Sequence, residues 1–169
     1  DEGANVEATG DNGITPLQAA ASMGHEDVVR ELVERGKAGL DAAHRFARTT
    51  ALHFAAEMGR VGVIEQLCQY GADVESAKKT GGTPLHTAAD TNQSAAVAVL
   101  LGPPCGADIT KLMMGDTQPL YLAAQRGFVG VCEALIDGGA DIDFAMPRGK
   151  FGGHLMRMGD DGSGGPSRY

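Results

Sequence analysis

The chain has 169 residues, enough for one compact domain or one short repeat array. Its formal charge of −8 argues against broad nucleic-acid binding, which needs a basic footprint, and against docking on anionic lipid. Apolar residues make up 43% but aromatics only 5%, with no Trp, so a core must be built mainly from Ala, Val, Leu, Ile and Met, which suits thin, closely stacked helices.

Residues 1–8 carry GANV at 3–6 and read as the tail of a preceding partial unit. The segment GITPLQAAA at 13–21 predicts a first helix. Pro16 sits at its start, where a missing N–H costs nothing, and Thr15 is a suitable N-cap. Gly24 stops it by entering the left-handed region cheaply. A second helix follows on the apolar spacing of Val28, Val29, Leu32 and Val33.

The same couplet returns three times. RTTALHFAA at 48–56 runs to Gly59 and precedes Val63, Ile64, Leu67 and Cys68. GGTPLHTAA at 81–89 runs to Asn92, the next best residue after Gly for the left-handed conformation, and precedes Ala96, Val97, Leu100 and Leu101. DTQPLYLAA at 116–124 runs to Gly127 and precedes Val131, Cys132, Leu135 and Ile136. The third residues of the four segments, Thr15, Thr50, Thr83 and Gln118, are 35, 33 and 35 residues apart. A second marker keeps step: GADV at 71–74 and GADI at 106–109 and 139–142 repeat GANV, and Gly36 opens a distorted copy ending at Leu40 and Asp41. The units are residues 9–43, 44–76, 77–111 and 112–144. GKFGGHLM at 149–156 falls in register as a degenerate partial repeat over 145–158, and the Gly- and Ser-rich residues 159–169 read as a flexible tail.

The copies are uneven. The second has Arg48 where Gly is usual, Ala51 where Pro is usual, and two extra residues between Gly36 and Thr50, so its hairpin is expected to be reshaped. The third has two extra residues within GPPC at 102–105, which lengthen the turn after its second helix. The fourth has Asp116, Gln118 and Tyr121 at the Gly, Thr and His positions. No strong polar cap closes the N-terminal face, and the chain begins at Asp1 without Met; both fit a piece of a longer protein, or a face covered by a partner.

The order G-x-T-P-L-H-x-A-A-x-x-G-H, a second apolar helix and then G-A-D-V resembles the ankyrin-repeat family, over roughly residues 3–143. The resemblance implies an all-α solenoid of stacked helix-turn-helix repeats with β-hairpin or β-turn tips. It implies hydrogen bonds within and between repeats for His53 and His86, with His25 read the same way. It also implies a partner protein held on the hairpin tips and the inner face of the first helices. Carried over residue by residue, the tips offer Asp11, Asn12 and Ile14, then Arg45, Phe46 and Ala47, then Lys78, Lys79 and Thr80, then Met113, Met114 and Thr117. The inner face offers Ser22 and Met23, Glu57 and Met58, Asp90 and Thr91, and Gln125 and Arg126.

Met23, Met58, Met114 and Phe46 fall where solvent is expected. Flexible Met suits adaptable binding surfaces and a tip aromatic suits an anchor; packing of Met against a neighbouring repeat is the alternative. Arg45, Arg48, Lys78 and Lys79 gather at adjacent tips, while Glu26, Asp27, Glu31, Glu34, Glu65, Glu133 and Asp137 lie on second helices. That polarity favours an acidic or apolar segment on the partner, a solvated charge pattern being the plainer reading.

No set of nucleophile, base and metal ligands assembles an active site, so the chain reads as no enzyme and no cofactor is expected. His154, Met156 and Met158 alternate as soft copper ligands would, against a decayed repeat and tail. Asn92 opens a formal glycosylation sequon that reads as coincidence, and the Gly-rich stretch at 162–165 lacks the context of a phosphate loop. Cys68, Cys105 and Cys132 are odd in number and form no CxxC, which suggests neither a disulfide framework nor a zinc site. Free thiols, with Cys68 and Cys132 in the core, fit a reducing, intracellular and cytoplasmic setting. No apolar run approaches the roughly 20 residues of a membrane span. The function expected is a non-enzymatic protein-interaction module, a scaffold or assembly subunit, with a regulatory ankyrin fragment of a larger enzyme or channel as the alternative.

Overall fold

A computed structural model describes residues 5–10 and 12–143. Asp11, the degenerate unit at 145–158, the tail at 159–169 and the histidine–methionine triplet all lie outside these residues. Among the described residues the chain folds into four helix pairs: α1 (Pro16–Met23) with α2 (Glu26–Glu34), α3 (Ala51–Glu57) with α4 (Val61–Gln69), α5 (Pro84–Asp90) with α6 (Ser94–Leu101), and α7 (Pro119–Arg126) with α8 (Val129–Asp137). First helices pack on first helices (α1 on α3, α3 on α5, α5 on α7) and second helices on second helices (α2 on α4, α4 on α6, α6 on α8). This is an all-α solenoid whose packing is between neighbours.

The caps explain where each pair starts. Thr15 accepts from the Gln18 amide at 3.3 Å, and the Gln18 side-chain oxygen accepts from the Thr15 amide at 3.0 Å, a reciprocal capping box. In the next two repeats the amides of Thr50 and Thr83 donate to Nδ1 of His53 and His86, each at 3.3 Å. The far end of each of these side chains crosses to the next repeat. Gln18 Nε2 donates to the Thr49 carbonyl at 3.1 Å, His53 Nε2 pairs with the Gly82 carbonyl at 3.1 Å, and His86 Nε2 with the Thr117 carbonyl at 3.2 Å. In each of the first three repeats one residue thus closes its own helix and stitches the stack. His25 does neither; it is exposed and makes no side-chain cap bond.

Small residues let the first helices approach. Ala21, Ala55, Ala56, Ala88, Ala89 and Ala123 are all inaccessible to solvent, beside Leu52, Ile64, Leu67, Leu85, Leu100 and Leu135. Each first helix ends on left-handed backbone at Gly24, Gly59, Asn92 or Gly127, so Asn92 does replace Gly in conformation (φ 61°). The tips are narrow turns closed by the amides of Gly10, Lys78 and Met113 on the carbonyls of Ile14, Gly82 and Thr117. The second tip closes from His44 to Thr49, one residue wider, as its irregular sequence predicts. Neighbouring tips are joined by Lys79 N to Ala47 O and Met114 N to Thr80 O, both at 3.0 Å.

Two expectations need correcting. The distorted marker of the first repeat opens at Lys37 rather than Gly36. Lys37 has the left-handed backbone (φ 56°) that Gly71, Gly106 and Gly139 have in the other repeats, and Ala38 is buried in the place of Ala72. The second correction concerns the thiols. Cys68 and Cys105 are joined in a disulfide, their Cα atoms 5.2 Å apart, and Cys132 alone is free. The pairing links α4 of the second repeat to the loop after α6 of the third. The reducing-compartment argument therefore loses two of its three cysteines.

Candidate partner-binding surface

The first helices of repeats two to four and the third and fourth tips enclose a groove of about 350 Å3. Its walls include Glu57, Lys78, Thr80, Asp90, Thr91 and Arg126, all residues the sequence assigns to the partner surface. Asp90 and Arg126 meet across the groove. The Arg126 Nε and Nη2 groups both lie 2.8 Å from Asp90 Oδ1, a pair that ties α5 to α7. Lys78 is half-buried at the third tip and forms no such close pair among the described residues. Burial holds its ammonium below the usual lysine range, and the carboxylates of Glu57 and Asp90 pull the other way. The groove therefore combines a partly desolvated cation with a fixed Asp–Arg pair, a setting in which a partner's carboxylate or backbone carbonyl gains more than it does in open solvent.

Four lining residues escape the tip-and-end reading: Gly82, His86, Thr87 and Leu122. Thr87 and Leu122 stand one helical turn before Asp90 or Arg126, so an i−3 or i−4 step along each first helix was the signal for them. Thr87 Oγ1 donates back to the Thr83 carbonyl at 3.1 Å, and Thr91 Oγ1 to the Thr87 carbonyl at 2.8 Å.

The other predicted residues lie away from this groove. Met23, Phe46, Met58 and Met114 are 48–69% exposed, so these four side chains face solvent rather than the neighbouring repeat. The Arg45 guanidinium carbon lies 4.4 Å from the centroid of the Phe46 ring, and His44 flanks the same ring at 5.9 Å. Asn12, Lys79 and Gln125 are exposed; Ile14 and Ser22 are half-buried, and the Ser22 carbonyl accepts from Arg60 Nε at 3.0 Å. Thr117 departs from expectation. It is 8% exposed, because His86 pins its carbonyl beneath the fourth tip, so it offers no side chain to a partner. The acidic residues Glu26, Asp27, Glu31, Glu34, Glu65, Glu133 and Asp137 are all exposed on second helices, while Arg45, Arg48 and Lys79 are exposed on tips.

A family model described as ankyrin repeats matches in three copies, over residues 2–78, 40–113 and 76–146. The chain belongs to the ankyrin-repeat family. Ankyrin repeats are protein-interaction modules, not catalytic ones, and they bind protein partners. Among similar proteins, the neurogenic locus Notch protein of Drosophila melanogaster is 34% identical over 153 residues, 82% of this chain and 6% of its own length. The neurogenic locus notch homolog protein 1 of Mus musculus is 32% identical over 159 residues, 86% of this chain and 6% of its own. The ankyrin repeat and KH domain-containing protein mask-1 of Caenorhabditis elegans is 34% identical over 129 residues, 75% of this chain and 5% of its own. This ankyrin chain thus spans about a twentieth of the length of the relatives it matches. No helix among its described residues is long and apolar enough to cross a membrane.

Proposed function

We propose that this ankyrin array holds a segment of a partner protein along the tips and first helices of its four repeats, as a scaffold or assembly subunit. The observation that carries the reading is the groove between repeats two and four, where half-buried Lys78 stands beside the Asp90–Arg126 pair. The segment that fits it carries a carboxylate for Lys78. An apolar side chain of the segment reaches the exposed Phe46 and Met58 on the second repeat. An intracellular, cytoplasmic setting belongs to the same proposal.

A photo-activated crosslinking residue placed at Thr80 or Asn12 on the tip side, and at Glu65 or Glu133 on the back, tests this in native extract. The expected outcome is one partner captured from Thr80 and lost in the Phe46→Ala/Lys79→Glu variant. Capture from Glu65 or Glu133 in preference to the tips, or capture that the double variant leaves unchanged, overturns the surface assignment. The small share of each relative that the chain spans favours a second reading, a regulatory ankyrin segment of a larger enzyme or channel. Under it, the captured partner is another part of the same polypeptide.

A further inference from the structure

We infer that Cys68 and Cys105 form a reversible thiol–disulfide couple, a redox modification site that staples the second repeat to the third. The site stands on the back of the stack and does not depend on the groove binding a partner. Its origin is visible along the chain. From the last residue of the second helix to the left-handed glycine is two residues after α4 and α8, at Gln69 to Gly71 and Asp137 to Gly139. After α6 it is five, from Leu101 to Gly106, and the lengthened loop is the one that carries Cys105. The insertion brings that sulfur back to α4, where Cys68 occupies a core position and is 8% exposed.

The two sulfurs are unequal in access. Cys105 is half-buried on a loop, so exchange enters there, while Cys68 is shielded beneath it. With a low-molecular-weight disulfide such as oxidised glutathione as oxidant, the Cys105 thiolate attacks one sulfur of the oxidant and expels one glutathione thiolate. The Cys68 thiol, giving its proton to water, then attacks the Cys105 sulfur and expels the second glutathione. Two electrons pass from the cysteine pair to the oxidant, one S–S bond breaks, one forms, and two glutathione thiols result. Reduction runs the same steps backwards. In a compartment that keeps thiols reduced, a protein disulfide of this kind is transient and regulatory. What it regulates is the junction between α4 and α6, by closing a loop of 37 residues that the unfolded chain otherwise explores freely.

The test equilibrates the folded full chain in glutathione buffers of graded ratio, then counts thiols by maleimide mass shift and records the thermal midpoint. The expected result is one labelled thiol at the oxidising end and three at the reducing end, interconverting without unfolding. The midpoint falls by about 10 °C on reduction. Cys132→Ser responds as the parent does, whereas Cys105→Ser unfolds at the reduced midpoint in every buffer. Cys68→Ser should match it; because that site is buried, Cys105→Ser decides the matter if Cys68→Ser does not fold. Three labelled thiols at every ratio would show that the pair does not form. A bond that yields to reductant only after the chain is unfolded would make it a permanent structural staple. Either result overturns the proposal.

Discussion

Two residues ahead of each first-helix cap the backbone turns left-handed, at Gly13, Arg48, Gly81 and Asp116. Glycine takes that conformation freely, whereas Arg48 (φ 57°) is held there by the tip closing around it, its amide donating to the His44 carbonyl at 2.7 Å. Arg48→Gly relieves the strain at an exposed position, and an increase of about 1 kcal/mol in stability is expected from urea unfolding. Asp116→Gly should gain less, since Asp tolerates this region better than Arg. His53 gives a prediction of opposite kind. The Thr50 amide can only donate, so it fixes Nδ1 as an acceptor and leaves the proton on Nε2, facing the Gly82 carbonyl. Protonation of Nδ1 sets two donors against each other in a buried site. Burial is the larger cause and lowers the His53 pKa to about 4, with the Gly82 bond opposing it. The sign follows. The unfolded imidazole takes its proton near 6.5 and the folded one near 4, so the stability is complete above the unfolded value. It is lost as pH falls from 6.5 towards 4, in total about 3 kcal/mol. Gln18 does the same two bonding jobs in the first repeat without titrating. His53→Gln should therefore fold normally and flatten the decline of the urea midpoint between pH 6.5 and 4; an unchanged slope would move the pH sensitivity elsewhere.

At the scale of the element, the helix starts and stops were legible because they are set by local chemistry. A Thr cap, a Pro in the first turn and a left-handed stop are each written in consecutive residues, and Thr83, Pro84 and Asn92 do what those residue types do. The capping side chain also makes a short prediction. Thr83 Oγ1 lies 2.9 Å from His86 Nδ1, so Thr83→Ala should cost about 1 kcal/mol and loosen α5 at its N-terminal turn, read by amide exchange at Thr87 and Ala88. What was not legible is what depends on residues far apart. The Cys68–Cys105 pair is separated by 37 positions and depends on how far an inserted loop folds back, which no spacing rule supplies. The slip from Gly36 to Lys37 misled because glycine is the usual left-handed residue, yet packing of Ala38 into the core decided the register. Thr117 falls in the tip by its place before Gln118, while its burial comes from a bond made by His86 thirty-one positions earlier. Seven of the predicted tip and inner-face residues, Glu57, Lys78, Thr80, Asp90, Thr91, Met113 and Arg126, do line one groove, because the repeat period carries each slot to the same side of the stack.

On the scale of the whole molecule, a solenoid distributes its stability differently from a globule. Each first helix packs chiefly on the first helices beside it, so the loss of a core side chain is felt by its own repeat and the neighbours. Leu85 and Leu135 are both inaccessible to solvent, and either change to Ala should remove about 2–4 kcal/mol locally. Their consequences should nevertheless differ. Leu135 lies on α8, and among the described residues the fourth pair, α7 and α8, packs chiefly on α5 and α6, so Leu135→Ala should fray the fourth repeat and leave the amides of α1 to α5 protected against exchange. Leu85 lies on α5, between α3 and α7, so Leu85→Ala interrupts the stack in its middle and should lower protection on both sides, in α3 as well as in α7. Hydrogen exchange of the two variants, followed helix by helix, separates a nearest-neighbour array from a single cooperative unit. If Leu135→Ala lowers protection in α1 as much as in α7, the four repeats unfold as one body. In that case the Cys68–Cys105 staple would tighten the whole stack rather than the junction it spans.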